Sequence, residues 1–432
     1  MSTHTSHPLT PPVHSSLKQE FTAGLTTFLT MSYILAINPL ILGSTGMDKG
    51  AVFVATCLAA AIGSFLMGFL ANYPIALAPS MSLNVYFAYI VVGHLGYSWQ
   101  IALGAVFISG LLFGLLTLTG IRQWLINFLP NPLKIGIMAG IGLFLGLIGL
   151  KNINLISLTP HPWPIFSNLT HIEVSLAILG LGLIILFERL RLMGAIFFSI
   201  IIMTALGLAL HLVNYQGIVA FPPSLSPVFL KLQFPHVFDP KLLFATLIFL
   251  FVALFDNTGT LVAVLTQAKL VSKEGKIERL PRALLADSLA NITGSLLGTS
   301  STGSYIESAT GVRAGGKTGL TVIFVSLFFL ISLGFAPLIN TIPAYATAPA
   351  LIYVAFLMAK NLGQLTRDWQ ENLPGLITAL TIPASFSIAM GVSLGLISYA
   401  TLKVLSGKIR SLNLGMWILV LLSSTYLVLQ FR

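Results

Sequence analysis

Long apolar runs separated by short polar or basic stretches fill most of the chain; "FLMGFLANYPIAL", "GLLFGLLTLTG", "LAILGLGLIILF" and "AIFFSIIIMTALGLAL" are typical. A run of about 20 apolar residues has the length of a helix crossing the hydrocarbon layer. Hydropathy predicts segments near 22–42, 50–71, 75–93, 98–118, 133–150, 172–190, 192–212, 240–266, 283–297, 304–313, 317–339, 343–361, 373–386, 388–402 and 412–431. Several are too short to cross alone. The expected fold class is an all-α polytopic membrane protein.

Two of the short segments break the pattern in the same way. "PIALAPSMSLNVYFAYIVVG" (74–93) opens on prolines and small residues before it turns into an apolar helix. "LLGTSSTGSYIESATGV" (296–312) opens on small hydroxyl residues and is expected to become helical near Tyr305. They stand third and tenth in the series, seven apart. Paired interruptions at matching places in two halves point to an inverted-repeat transporter with a midplane site. Unpaired backbone groups at such breaks must face protein or a cavity, because lipid cannot satisfy them.

Composition agrees. Of 432 residues 56% are hydrophobic and only 8% charged, against about a quarter charged in soluble domains. Lipid is therefore a partner of most of the surface. The net charge of +10 is explained by orientation and not by nucleic acid, since no arginine-rich stripe with interleaved aromatics occurs. With a cytoplasmic N-terminus, alternation puts Arg122, Lys134, Arg189, Arg191, Arg313, Lys317 and the cluster Lys269, Lys273, Lys276, Arg279, Arg282 inside. Only Lys49, Lys151, Lys231 and Lys241 fall outside, as the positive-inside rule requires. The expected location is the cell (inner or plasma) membrane. To return Lys403, Lys408 and Arg410 to the cytoplasm, 373–386 and 388–402 are expected to be half-length helices, with Pro383 favouring a break. Residues 1–19 read as a disordered cytoplasmic tail without a signal-peptide core, and its histidines are too irregularly spaced for a metal. Cys57, the one cysteine, lies in an apolar run as filler.

Sorting the twelve acids locates the chemistry. Glu20, Asp48, Glu173, Asp239, Glu274, Glu278, Asp368 and Glu371 fall in tails, loops or helix ends, and Glu188 sits beside Arg189 and Arg191. Asp287 is expected in the first turn of a helix starting after Pro281, where an acid suits the dipole. Asp256 and Glu307 remain. Asp256 lies mid-span in "LLFATLIFLFVALFDNTGTLVAVL", where a charge costs roughly 2.5–3.5 kcal/mol on insertion scales and so turns toward a partner, cavity or ion. Glu307 follows the second polar break, where free N–H groups favour its charge; capping that helix is its competing role. With no basic residue at either depth, two acids point to protonation or to a donor-rich ligand. Asn84, whose amide donates and accepts, is the third candidate, with interhelical bonding as the alternative. Tyr86, Phe87, Tyr89 and Tyr305 could stack on a flat ligand or simply pack.

The stretches "TAGLTTFLTMSYILAINPLIL", "PIALAPSMSLNVYFAY", "FDNTGTL", "ALLADSLANITGSLLGTSSTGSYIESATGVRAGGKTGL" and "IPAYATAPALI" together resemble the AzgA-like guanine/hypoxanthine permeases of the nucleobase–cation symporters, over about 20–410. The resemblance implies about 14 segments in a 7+7 inverted repeat, a core domain of 20–121 and 240–340, and a gate domain of 122–239 and 341–432. It implies that Asn84, Asp256 and Glu307 bind the base or couple the proton, with Glu307 the preferred coupling residue and Asp256 the preferred ligand. The family's usual "PGMGLN" is "PSMSLN" here, with Ser80 and Ser82. Its usual Thr after the eighth-span acid is Asn257, and its "TSTVTTY" is "TSSTGSY", with Thr302, Gly303 and Ser304. Ser82, Thr302 and Ser304 thereby join the substrate-binding candidates.

The function expected is import of a purine nucleobase by proton symport (Na+ being the other coupling ion), with no cofactor and a homodimer formed through the gate. An anion permease of the same fold is the alternative, which two cavity acids oppose. An intramembrane enzyme such as an aspartyl protease is a further alternative, opposed because Asp256 follows Phe255 and no Gly-x-Gly-Asp occurs.

Overall fold

The computed structural model describes residues 16–119, 130–157, 165–166, 171–192, 194–235, 239–271, 277–365, 369–385, 388–409, 412 and 414–430. Helix α1 (Leu17–Met31) starts where Ser16 Oγ accepts the Gln19 N–H at 3.2 Å, the Ser-x-x-Gln spacing of a capping box. The expected tail is therefore too long at its end, and its residues 1–15 lie outside the described ones. The helix stops at Ser32–Tyr33 and resumes as α2 (Ile34–Gly43). Pro39 inside α2 has no N–H for the Leu35 carbonyl, which loosens the helix just after the break.

The first half continues through α3 (Lys49–Leu66), strand β1 (Leu77–Pro79), α4 (Met81–Val85, running on as a wider π-helix to His94) and α5 (Trp99–Leu118). Next come α6 (Asn131–Asn152), the two-residue strands β2 (Ile156–Ser157) and β3 (Ile165–Phe166), α7 (Ile172–Arg189) and α8 (Ala195–Ala209). The second half repeats the order with α9 (Pro240–Gln267), α10 (Leu280–Leu297), β4 (Thr302–Ser304), α11 (Ser308–Arg313) and α12 (Leu320–Ser332). A tight turn joins α12 to α13 (Ala336–Thr341), followed by α14 (Ala344–Ala359), α15 (Trp369–Ser385) and α16 (Ile388–Leu405). A last helix, α17 (Leu414–Gln430), packs on α16.

Packing sorts the helices into two groups. In one, α10 lies on α3 and α5, while α12 lies on α1 and α3. In the other, α6 packs along α14 and α15, α14 on α7, and α15 on α16. Lipid supplies no hydrophobic force between helices, so close approach of small residues carries much of this packing. A Cβ on Gly136 of α6 would lie 2.2 Å from the Gly375 carbonyl oxygen of α15. Helix α15 runs through Pro383 to Ser385, so no break opens at that proline. Lys403 near the end of α16 pairs with Glu371 at the start of α15. The two helices thus form a hairpin whose charged ends meet on one side.

Candidate functional site

The two interruptions meet. β1 pairs antiparallel with β4, with Leu77 opposite Ser304, Ala78 opposite Gly303 and Pro79 opposite Thr302. The Ser80 N–H to Ser301 oxygen bond (2.7 Å) and the Tyr305 N–H to Ala76 oxygen bond (3.0 Å) extend the ladder at its ends. Remaining backbone groups find side chains: Ser64 Oγ bridges the Leu77 N–H and carbonyl at 3.0 Å each, and Ser308 Oγ accepts the Ala76 N–H at 2.9 Å. Every such bond replaces one that lipid could not give. Gly303 is required, since a Cβ there would sit 2.0 Å from Asn257 Oδ1.

In front of this strand pair opens a cavity of about 370 Å³, at the small end of the ligand-pocket range. Ser80, Ser82, Ser304, Tyr305 and Glu307 form its strand-pair wall, and Tyr33 enters from the α1–α2 break. Helix α9 contributes Asp256, Gly259, Thr260 and Ala263, which share one face by helical spacing. Facing them, from the other packing group, stand Met138, Val354, Leu357, Met358 and Asn361. The cavity reaches toward the end of the bundle where α9 and α14 finish and α6 begins. At the opposite end the Lys151 ammonium lies 5.4 Å from the centre of the Tyr89 ring, bridging α6 and the end of the third segment.

Both membrane acids lie in this cavity. Asp256 Oδ2 accepts from Ser80 Oγ (3.2 Å) and Ser82 Oγ (3.1 Å), and the two hydroxyls are themselves 3.1 Å apart. Glu307 holds the N-cap position of α11 without bonding its N–H groups; its Oε1 instead accepts the Tyr33 hydroxyl at 2.6 Å. Both side chains are only partly buried. No lysine, arginine or histidine lines the cavity among the described residues. Nor, among those residues, do three His, Cys, Asp or Glu side chains converge as a metal requires.

The other candidates divide. Ser82 and Ser304 line the cavity, whereas Asn84 and Thr302 are absent from its wall. Asn84 is fully buried and donates to Asn38 Oδ1, and Asn38 donates to Thr56 Oγ1 (2.7 Å) and Thr299 Oγ1 (2.9 Å). That amide chain ties α2, α3, α4 and the loop before β4 together. Thr302 is buried behind β4, where a Cβ on Gly294 would touch its Oγ1.

Two acids depart from expectation. Asp287 is not in the first turn but seven residues after Leu280, fully buried, and it accepts from Ser304 Oγ at 3.4 Å. Glu20, expected at a solvated end, is 1% exposed and accepts from Thr321 Oγ1 and the Lys317 N–H.

Tyr33 is the functional candidate that the sequence left unmarked, while Ser80, marked there only as a departure in its motif, joins Ser82 on Asp256. Tyr33 looks like one more aromatic in a span, and only the helix break beside it marks it. Thr260 was detectable as the residue one turn beyond Asp256. Two spacings that mimic enzyme motifs lose their meaning in the fold. Gly311–Thr318 fits a phosphate-binding loop, yet Gly311 lies inside α11 against Thr27 of α1, so the glycines form no loop between a strand and a following helix. Gly391–Gly395 fits a serine-hydrolase elbow, yet Ser393 is buried within the continuous α16, where no strand-to-helix turn exists.

The comparisons with known proteins agree with this architecture. The transmembrane domain of a cyanobacterium bicarbonate transporter, BicA, superposes with a TM-score of 0.68 at 17% identity, covering 89% of this chain and 98% of that one. SLC26A9 does so with a TM-score of 0.63 at 13% identity, covering 89% of this chain and 65% of that one. Such likeness establishes the fold, a 7+7 inverted repeat of membrane helices. The sequence is 44% identical to the adenine permease AdeP of Escherichia coli over 92% of this chain and 90% of that one. It is 40% identical to the guanine/hypoxanthine permease PbuG of Bacillus subtilis, over 92% and 93%. The profile of the xanthine/uracil permeases, described as "Permease family", matches residues 18–394. The chain therefore belongs to the xanthine/uracil permease family of membrane transporters, in the company of adenine and guanine/hypoxanthine permeases and not of enzymes.

Proposed function

We propose that the protein imports a purine nucleobase by proton symport, through alternating access to the cavity between the two helix groups. The observation that carries this reading is a cavity with two carboxylates and no basic side chain among the described residues. A purine offers N–H donors and ring or carbonyl acceptors along its edge. Asp256 and Glu307 accept the donors, serine and threonine hydroxyls serve either role, and the methionines give the flat ring a polarizable wall. The names of AdeP and PbuG support the purine assignment for this chain.

Protonation removes a charge before the loaded site crosses the low-dielectric layer, where each uncompensated charge is costly. Glu307 is the preferred proton carrier and Asp256 the preferred base ligand. The moving core takes residues 20–121 and 240–340, and the gate takes 122–239 and 341–432, with dimerisation through the gate. The N-terminus lies in the cytoplasm of the cell (inner) membrane, so the cavity opens inward. The fold is shared with a bicarbonate transporter, which makes anion transport the competing reading; an anion site without a fixed positive charge opposes it.

The test is uptake of radiolabelled adenine and hypoxanthine, with and without a protonophore, by the wild type and by Asp256→Ala and Glu307→Ala. Purine uptake sensitive to protonophore and lost in both variants at unchanged membrane abundance is expected. Uptake of bicarbonate or sulfate in place of purine, or full purine uptake in both variants, refutes the proposal.

A further inference from the structure

Asp256 meets its protein neighbours through one oxygen. Ser80 Oγ and Ser82 Oγ lie 3.2 and 3.1 Å from Oδ2, and 3.1 Å from each other. Two hydroxyl protons serve these three contacts, so either both point at Oδ2 or one serine donates through the other. In either arrangement two side chains occupy the space around Oδ2. Both serines are nearly buried, 6% and 4% exposed, and β1 and the first turn of α4 hold their backbones. Oδ1 accepts nothing from the described residues and is the oxygen left for a ligand.

Purines differ in how many adjacent N–H groups their pairing edge presents. Guanine carries the ring N1–H beside a 2-amino group, two parallel donors that suit both oxygens of one carboxylate. Such two-pronged pairing is the strong form of carboxylate recognition. Hypoxanthine has the same ring N–H with only C–H at position 2. Adenine presents its 6-amino group beside a ring acceptor. A carboxylate with one oxygen already filled matches the single-donor bases and leaves one of guanine's two donors unpaired in a closed site, which is costly.

We propose that Ser80 and Ser82 are specificity-determining residues: by occupying one oxygen of Asp256 they make this site favour purines that lack a 2-amino group, adenine and hypoxanthine, over guanine. The inference rests on the nucleobase reading above.

Guanine and hypoxanthine differ only by the 2-amino group, so their competition isolates the effect. Proteoliposomes holding the full chain are loaded with a proton gradient, and labelled adenine uptake is competed with each unlabelled base. For the wild type, guanine should need roughly ten- to a hundredfold more ligand than hypoxanthine for half-inhibition, the worth of one charge-assisted hydrogen bond. In Ser80→Ala/Ser82→Ala the ratio should fall toward one, and each single variant, Ser80→Ala or Ser82→Ala, should lie between. The singles keep the test decisive if the double variant does not fold. Equal competition by guanine and hypoxanthine in the wild type overturns the selectivity while leaving purine transport standing. An unchanged ratio in all variants that fold overturns the serines' role. Absence of any purine uptake overturns the nucleobase reading itself, and this inference with it.

Discussion

Asp256 and Glu307 stand out from sequence alone because the bilayer penalises a charge more sharply than any helix pattern does. Their partners do not stand out. Tyr33 belongs to the same apolar run as its neighbours, and its role exists only because residue 307, far along the chain, is folded against it. Its hydroxyl is the described donor to Glu307 Oε1, at 2.6 Å. Removing it leaves the carboxylate free to rotate and one charge-assisted bond short, worth about 1.5–3 kcal/mol. Tyr33→Phe keeps the ring's packing, so the expected result is a transport rate lowered by about tenfold or more at unchanged membrane abundance. A wild-type rate would show that Glu307 needs no positioning from α1–α2. Asn84 illustrates the opposite case. An amide at the right depth beside a break reads equally as a ligand or as an interhelical bond, and here its Nδ2 donates to Asn38 Oδ1 in the packed interior. A sequence gives depth along a helix more readily than direction around it.

Element boundaries follow local chemistry where caps are strong. Asp239 is one: its Oδ1 accepts the Lys241 N–H at 2.9 Å ahead of Pro240, and its Oδ2 accepts the Tyr97 hydroxyl. One carboxylate thus starts α9, the helix that carries Asp256, and straps it to the turn before α5. The first link is legible as Asp-Pro before an apolar run; the second, across more than a hundred residues, is not. The β1–β4 pairing escapes notice for a related reason. Three-residue strands carry no alternation to read, so only the broken helices that flank them are visible. Burial, and then the neighbouring Asp239 carboxylate, hold the Tyr97 phenol above its ordinary value. A group whose folded value is raised stabilises fully below its unfolded value, about 10 for tyrosine, and loses that contribution as pH rises through the folded value. Thermal midpoints of detergent-solubilised protein, scanned at one rate, should therefore fall in Tyr97→Phe by a similar amount from pH 7 to pH 10. The gap should close only in more alkaline buffer. Asp239→Ala, which removes cap and strap together, should fall further, by the equivalent of about 1–2 kcal/mol for the cap. Equal midpoints for Asp239→Ala and the wild type would deny the cap any part in holding α9.

For the whole molecule, the fold is shared with proteins named as anion transporters, while the cavity chemistry of this chain is acidic. Architecture and cargo are separable because the cavity wall is supplied by a handful of side chains on a common scaffold. The alternating access proposed above requires that the wall formed by Met138, Leu357, Met358 and Asn361 part from the wall formed by Asp256 and Glu307. It also requires that the Lys151–Tyr89 contact at the other end break in the opposite state. Substituted cysteines can follow this directly, because the one native thiol, Cys57, is fully buried and offers little background. Asn361 sits at the rim where the cavity opens, so Asn361→Cys should react with a polar maleimide in inside-out vesicles. Added purine should slow that reaction by filling the cavity or by shifting the population of states. In right-side-out vesicles the same cysteine should stay unlabelled if the Lys151–Tyr89 contact closes that end. Labelling that is equal from both faces and indifferent to purine would mean a permanently open channel between the two helix groups, and alternating access would have to be abandoned.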